Sequence, residues 1–416
     1  MRHQIRHAAA SFFFNKVYPS ILRYRERKVG RKKSINVVFI AMNVAMWRYQ
    51  QIYELLKSDD RFRLFVVLSV ATTYNRDQVI KDIEQLRVYF NKKDIKYLNF
   101  DENSWIGFDL KELNPDIIFY PQPYDNCLYE KHDYKHFLSK LLCFVPYGIG
   151  QTEESWFYNT LFHNFAWKLY YPFQVDLERS QKLAHTRGKN MVISGYTNFD
   201  LYSNNNTIDV WKIKDPRIKR LIWAPHFSIS PHDSLYSHSN FLWMAGFMHG
   251  LAKQYKDVIQ IAFKPHPRLK SELYKHPDWG KAKTDSYYEE WNNMQNAFVE
   301  TGDFIDLFKS SDAMIHDCSS FAIEYLFVNK PVAFVSKDIN ETFKDIPKFG
   351  RDAINQHYIL SKTNEIFTWI ENVLINGNDT MKEQRESFYK QYLEPKSGIT
   401  ASESIVNDIK TSLRIK

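Results

Sequence analysis

Residues 311–325 read SDAMIHDCSSFAIEY, and this stretch decides the fold class. The apolar run at 313–316 predicts a short strand, and Ser319 and Ser320 stand where a helix is predicted to begin. A strand that passes through a tight turn into a helix is the building unit of α/β domains. Because helix N-termini present unpaired N–H groups, the turn is a candidate phosphate site; simple capping of the helix by Ser319 is the alternative.

Units of this kind recur along the chain. Apolar, β-branched runs such as INVVFIA at 35–41 are typical of strands buried on both faces of a parallel sheet. Strands are predicted at 35–41, 62–70, 95–100, 116–120, 141–146, 191–195, 219–224, 258–264, 313–316 and 331–335, and helices at 49–56, 77–91, 240–255, 303–310 and 320–328. The polar, Asn-rich segment 203–214 predicts a linker.

The alternation predicts an α/β protein of two Rossmann-like, doubly wound domains that face a central cleft. The predicted divisions are a basic and aromatic N-terminal segment at 1–34, a first domain at 35–202, and a second domain at 215–416 that includes the C-terminal helices. Ligands of such sheets lie outside the carboxyl ends of the strands, so candidate residues are sought there.

A second candidate site is FKPHPR at 263–268, where another predicted strand ends. The prolines on both sides of His266 restrict the local backbone. Lys264 and Arg268 add two cations, and all three side chains are suited to donate hydrogen bonds to a pyrophosphate. A surface turn that happens to contain a histidine is the alternative interpretation.

Three further side chains lie close to predicted strand ends. Asp317 directly follows the strand at 313–316, and Glu324 lies one helical turn after Ser320, facing a ribose or a nucleobase in this interpretation. His226 follows the strand at 219–224 and is expected in the cleft, where it binds phosphate, acts as a base, or is simply packed.

The distribution of charge limits which binding partners are expected. The net charge is +8, and much of the excess lies in RYRERKVGRKK at 23–33, directly after an aromatic segment. Residues 1–33 therefore predict docking on an anionic membrane surface, with a helix packed on its own domain as the alternative. The basic residues gather at one terminus and no nucleic-acid motif is present, so no nucleic-acid partner is expected.

Cys127, Cys143 and Cys318 are far apart and indicate neither disulfides nor a metal cluster. The chain has no apolar stretch long enough for a membrane span. We therefore expect a cytoplasmic protein, peripheral on the inner face of the cytoplasmic membrane, with no metal.

The two phosphate-binding segments, in this order, carry a family resemblance. Together with Lys330-Pro331 and the segments GYTNFD at 195–200 and 392–405, they resemble the CDP-glycerol glycerophosphotransferase family. These enzymes have a GT-B type fold and act in teichoic-acid and capsule-polymer synthesis in the bacterial cell envelope. The resemblance covers most of residues 35–405 and is strongest in the C-terminal half.

The resemblance implies transfer of a polyol phosphate, above all glycerol phosphate, from CDP-glycerol or a related CDP-polyol. The acceptor is a saccharide or a polyprenyl-linked molecule bound by the first domain, and no cofactor is required. It also implies that donor phosphates are held by His266, Ser319 and Ser320, with Asp317 and Arg268 as further contacts.

The sequence departs from the family where a Trp-His-Gly histidine is the expected base. Here residues 144–148 read FVPYG, so Tyr147, followed by Gly148, stands in its place. A tyrosine with its usual pKa near ~10 is a poor base at neutral pH. His226 and His266 are other candidates for catalysis, and the base stays open.

Trp47 and Arg48, after the first strand, join Gly148 as candidate acceptor contacts. Trp47 would stack on a sugar or lipid and Arg48 would bind a phosphate; the alternative is a core tryptophan and a surface arginine. Two other functions stay open for the whole chain. One is a GT-B glycosyltransferase or epimerase that uses a UDP- or CMP-sugar, and the other is a non-catalytic nucleotide-binding homologue.

Overall fold

The structure is a computed structural model that describes residues 2–149, 155–202, 207–229, 239–302, 304–394 and 398–415. The chain divides into two compact units. The first comprises Met1–Asp200 and Pro395–Lys416, and the second comprises Leu201–Glu394. Both units have a parallel sheet with helices packed against it, which confirms the predicted α/β class.

The first unit is built on a seven-stranded parallel sheet with the order β3-β2-β1-β6-β7-β8-β9. Its strands, with the small antiparallel pair β4 and β5, are β1 Ile35–Ala41, β2 Phe62–Leu68, β3 Tyr97–Leu98, β4 Phe100–Asp101, β5 Ile106–Gly107, β6 Ile117–Tyr120, β7 Leu141–Phe144, β8 Lys168–Tyr171 and β9 Met191–Ile193. Its helices up to the linker are α1 Arg2–Phe12, α2 Tyr18–Gly30, α3 Gln50–Lys57, α4 Arg76–Lys92, α5 Ser155–Tyr158, α6 Leu161–Phe165 and α7 Gln174–Leu183.

Strand β1 shows why this sheet forms. Val37 and Phe39 lie in one hydrophobic core, and Val38 and Ile40 lie in another on the opposite face. Successive side chains of a strand point to opposite faces, so a continuous apolar run fills both cores. The prediction that 35–41 is a strand buried on both faces is thereby confirmed.

The second unit has a six-stranded parallel sheet with the order β12-β11-β10-β13-β14-β15. Its strands are β10 Lys219–Ala224, β11 Ile259–Phe263, β12 Ala297–Val299, β13 Ala313–His316, β14 Val332–Val335 and β15 Tyr358–Leu360. Its helices are α8 Phe241–Gln254, α9 Leu269–Lys275, α10 Gly280–Asn293, α11 Ile305–Ser310, α12 Phe321–Glu324, α13 Ile339–Lys344, α14 Lys348–Ile354, α15 Thr363–Trp369 and α16 Lys382–Phe388. The strand order reverses at β10 and β13, which is where doubly wound sheets bind ligands.

The last helix, α17 Ala401–Leu413, belongs to the first unit. The sequence had placed it in the second domain. Its buried face, which includes Ile405 and Ile409, completes the core around β1. Asp200 fixes its start, because the carboxylate accepts the N–H groups of Ala401 at 2.7 Å and Ser402 at 2.9 Å. The two segments that resemble the family around 195–200 and 392–405 therefore meet at this contact.

The N-terminal segment is helical. Helix α1 continues through a π-helical turn, Phe13–Val17, into α2, and Phe14, Tyr18 and Leu22 pack against the first unit's core. Phe12 and Tyr24 point outward with 65% and 68% of their surface exposed. Among the residues that the structure describes, no helix combines the length and apolar character that crossing a bilayer requires.

Candidate functional site

The candidate site lies in the second unit, where three neighbouring strands end. Strands β10, β11 and β13 are adjacent and parallel, so the residues that follow them share one edge of the sheet. His226 follows β10, Lys264 and His266 follow β11, and Asp317 follows β13. The backbone keeps them together, since the His266 N–H donates to the Pro225 carbonyl at 3.0 Å.

Asp317 is the buried centre of this edge. Its carboxylate accepts the N–H of His226 at 2.6 Å and the N–H of Asn240, at the start of α8, at 2.5 Å. Burial raises the pKa of Asp317 to about 6, although these hydrogen bonds oppose the rise. The side chain thus joins the end of β10 to the start of α8 through both of its carboxylate oxygens.

His266 is held as a neutral hydrogen-bond donor. Its Nδ1 accepts the N–H of Arg268 at 3.2 Å, which leaves the ring proton on Nε2. Burial, with Arg268 and Lys264 nearby, lowers the pKa of His266 to about 4. At neutral pH the imidazole therefore offers an N–H without carrying a charge.

His226 stands beside His266. The ring centroids are 5.1 Å apart, and the Phe227 ring lies within 4.5 Å of both. The Nδ1 of His226 lies 2.9 Å from the Ser228 hydroxyl. Arg268 stacks 4.0 Å above Phe227 while 59% of its side chain stays exposed. Two imidazoles and one exposed guanidinium therefore share this edge, a set suited to bind phosphate oxygens.

Lys264 has a different role from the one predicted. The side chain is buried, and its Nζ donates to the Gly302 carbonyl at 2.6 Å. Its charge still acts on the site, since it helps to lower the pKa of His266. We therefore regard Lys264 as an electrostatic neighbour of the imidazole, held in place by the loop after β12.

The turn that contains Ser319 and Ser320, called the serine turn below, leads into a shorter α-helix than the one predicted at 320–328. Ser319 is half-buried and Ser320 exposed, and α12 spans only Phe321–Glu324 before continuing as a 3-10 turn, Tyr325–Val328. The Ser320 side chain makes no capping hydrogen bond, and its Oγ lies 3.4 Å from the Cys318 sulfur. Glu324 is buried inside the unit, so the prediction that it faces a ribose or base does not fit its position.

Sequence reasoning missed Asn240 and His357. Asn240 is buried, and its side chain also donates to the Val335 carbonyl at 3.0 Å. An asparagine at the start of a predicted helix is an ordinary N-cap signal, and nothing local connects it to Asp317, which is 77 residues away. His357 is buried beneath the serine turn and hydrogen-bonds to His316.

The predicted acceptor-side residues lie in the first unit. Trp47 is in its core, packed against Phe39 and Phe90, so the stacking role must be corrected: no ring face is left for a sugar. The Arg48 Nε donates to the Tyr147 carbonyl at 3.0 Å. Burial raises the pKa of Tyr147, so its phenolate is scarce at neutral pH.

Gly148 lies in the same loop, and a Cβ added there would meet no atom within 4 Å.

Across the described part of the chain, no group of three or more His, Cys, Asp or Glu residues is placed so that it could hold a metal ion.

A family model described as CDP-glycerol:poly(glycerophosphate) glycerophosphotransferase matches residues 179–411, more than half of the chain. The chain belongs to this family. The match includes β10, β11, β13 and the serine turn. It confirms the predicted family, and with it a transferase that uses a CDP-linked polyol in cell-surface polymer synthesis.

Solved structures show the same fold at low identity. A variant of the wall teichoic acid polymerase TagF is 14% identical with a TM-score of 0.59, covering 100% of this glycerophosphotransferase and 98% of that chain. The UDP-GlcNAc 2-epimerase from Neisseria meningitidis is 12% identical with a TM-score of 0.54, covering 91% and 99%. The predicted GT-B type fold is confirmed. No curated protein matches the sequence.

Proposed function

We propose that this enzyme transfers glycerol phosphate from CDP-glycerol to a hydroxyl group of a saccharide or polyprenyl-linked acceptor. The observation that carries the proposal is the meeting of His226, His266 and the serine turn at one sheet edge, inside the region that matches the family. One solved form of TagF was soaked with CDPG, so a related fold has been studied with this donor.

In the proposed reaction an acceptor oxygen attacks the phosphorus that carries the glycerol. The bond from this phosphorus to the bridging oxygen breaks, CMP leaves with the electron pair, and the acceptor proton passes to a base. The Nε2–H of His266, the guanidinium of Arg268 and the hydroxyls of Ser319 and Ser320 stabilise the charge that grows on the phosphate oxygens. The neutral His266 N–H acts without a proton transfer of its own.

The base is a separate assignment. Because burial raises the pKa of Tyr147, its side chain is protonated at neutral pH and is a poor candidate for the base. His226 is the candidate we keep for this role, because its ring lies beside His266. Replacing His226 with Ala should lower kcat more than it raises the KM of the donor.

The test is release of CMP from CDP-glycerol in the presence of a mixed saccharide acceptor pool. We expect release by the wild type, loss of at least about a hundredfold in His266→Ala, and partial recovery in His266→Gln, which keeps an N–H donor. His276→Ala is the matched control. His276 also precedes a proline, and its Nδ1 accepts an N–H two residues on, from Asp278 at 3.2 Å.

A donor panel decides between this reaction and its closest alternative. CDP-ribitol tests the choice of polyol, and UDP-GlcNAc tests the chemistry of the epimerases that share the fold. Turnover of UDP-GlcNAc with none of either CDP-polyol would reject the proposed reaction. Tight binding of CDP-glycerol without CMP release from any acceptor would favour a non-catalytic homologue.

We also propose that the enzyme binds the inner face of the cytoplasmic membrane through its N-terminal helices. Exposed Phe12 and Val17 precede the basic segment 23–33, and exposed Tyr24 lies within it. Such a surface gains both apolar insertion and attraction to anionic lipids. Cosedimentation should be strong with vesicles that contain phosphatidylglycerol and weak with pure phosphatidylcholine. A Phe12→Ser/Tyr24→Ser variant that binds as well as wild type would contradict the proposal.

A further inference from the structure

A buried pair of histidines lies directly beneath the serine turn. His316 is the last residue of β13, and His357 precedes β15. The Nε2 of His316 is 3.2 Å from the Nδ1 of His357, and the Nε2 of His357 is 3.0 Å from the Ala322 carbonyl. At the other end, the Nδ1 of His316 lies 3.2 Å from the Cys318 backbone nitrogen and 3.0 Å from the Cys318 carbonyl oxygen.

The Ala322 carbonyl fixes the direction of this chain of hydrogen bonds. A carbonyl only accepts, so the Nε2 of His357 carries the proton and its Nδ1 accepts. The Nε2 of His316 then donates to His357, so in this neutral arrangement the Nδ1 of His316 accepts the Cys318 N–H and cannot donate to the Cys318 carbonyl 3.0 Å away. Both imidazoles are neutral in this arrangement, as expected where burial lowers both pKa values.

Both ends of the chain reach the backbone of the same turn. One end holds Cys318 and the other holds Ala322, so Ser319 and Ser320 are clamped between two fixed points. Apolar side chains would fill this space without the desolvation cost of two imidazoles. The two histidines supply hydrogen bonds to the Cys318 N–H and the Ala322 carbonyl, two backbone groups of the turn that would otherwise need other partners.

We propose that His357, acting through His316, is a positioning residue that holds residues 318–322 in the shape that binds the donor phosphates. The inference rests on the proposed function, in which Ser319 and Ser320 contact the donor. It assigns a role in donor affinity to a residue that has no contact with the donor itself.

The experiment measures two quantities in the full chain. Calorimetry gives the Kd of CDP-glycerol without acceptor, and amide hydrogen exchange gives the protection of residues 318–322 in the free protein. The variants are His357→Phe, which keeps the ring volume, and His357→Gln, which can keep an N–H toward Ala322. His132→Phe is the control, since His132 is also buried and bridges Ser69 at 2.8 Å and the Phe108 carbonyl at 2.7 Å, but in the first unit.

We expect His357→Phe to raise the Kd about tenfold and to speed exchange in the turn, because the variant loses the buried hydrogen bonds to His316 and to the Ala322 carbonyl. His357→Gln should lie between this variant and the wild type, and His132→Phe should change neither quantity. If His357→Phe does not fold, His357→Gln alone decides.

Unchanged protection of the turn in a folded His357 variant would overturn the inference. Faster exchange with an unchanged Kd would overturn the positioning role as well. If the wild type itself fails to bind CDP-glycerol, the proposed function falls, and the exchange measurement still decides whether the histidine pair holds the turn.

Discussion

At the scale of single residues, His266 gains its role from its surroundings. A free histidine has a pKa near ~6.5 and is partly charged at neutral pH. Here partial burial, Arg268 and Lys264 all disfavour the charged ring. The site therefore keeps a neutral N–H donor close to the side chains of Arg268 and Lys264, an arrangement suited to an anionic ligand.

This environment predicts an unusual titration. In the protein without ligand, the His266 ring should titrate near pH 4, well below the pKa of a histidine in an unstructured peptide. Because the folded pKa is lowered, the group's contribution to stability is present above pH ~6.5 and is lost as the pH falls toward 4. NMR of the ring carbons, assigned by comparison with His266→Gln, measures the midpoint. A midpoint above 6 would show that burial and the cations do not act as described.

The same scale shows what the sequence could and could not predict. His266 and the serine pair could be proposed as site residues because proline, histidine and serine give local signals at strand ends. The burial of Trp47 and Glu324, and the direction of the Lys264 ammonium, depend on residues far away in the chain. Such placements follow from packing, which a single local pattern does not contain.

At the scale of elements, α11 depends on a lysine from another part of the chain. The Lys330 Nζ donates to the carbonyls of Phe308 at 3.3 Å, Lys309 at 2.6 Å and Ser311 at 2.5 Å. These groups lie at and just beyond the helix end, where carbonyls lack intrahelical partners. The Lys330-Pro331 part of the family pattern is thereby explained as a cap that ties α11 to β14.

Replacing Lys330 with Met should therefore weaken the second unit. The methionine side chain has a similar length but removes the donor to the Lys309 and Ser311 carbonyls, while Phe308 keeps the Ser311 hydroxyl, at a cost of about 1–3 kcal/mol in the free energy of unfolding. Urea denaturation measures this change. Lys344→Met is the control, because Lys344 forms only an exposed ion pair with Glu341. Equal effects of the two substitutions would contradict the capping role.

Elements differed in how well the sequence predicted them. Strands β10 and β13 were predicted to the residue. The apolar run of β13 is bounded by Asp312 and Asp317, and that of β10 ends at Pro225. Strands β12 and β15 were missed; each has three residues and lies at an edge of the sheet. Such short strands form because they pair with a neighbouring strand of the sheet. A run of three residues is too short for its hydrophobic pattern to predict a strand.

At the scale of the whole molecule, the chain returns to its first unit to finish that unit's core. The sequence placed the C-terminal helices in the second domain because they follow it along the chain. The structure differs because the apolar face of α17 fits the core around β1, and because Asp200 provides a cap for its first N–H groups. Connection order alone does not reveal this.

The return of α17 predicts where a C-terminal substitution acts. Ile409 is fully buried in the first unit, so Ile409→Ala should cost about 2–5 kcal/mol through lost burial and the cavity it leaves. Amide hydrogen exchange should then speed up in β1 and α3 and stay unchanged in β10 and β13. Thr411→Ala, on the exposed face of the same helix, is the control and should change neither unit. Faster exchange confined to the second unit would mean that α17 stabilises that unit instead, and the assignment of the helix would have to be reversed.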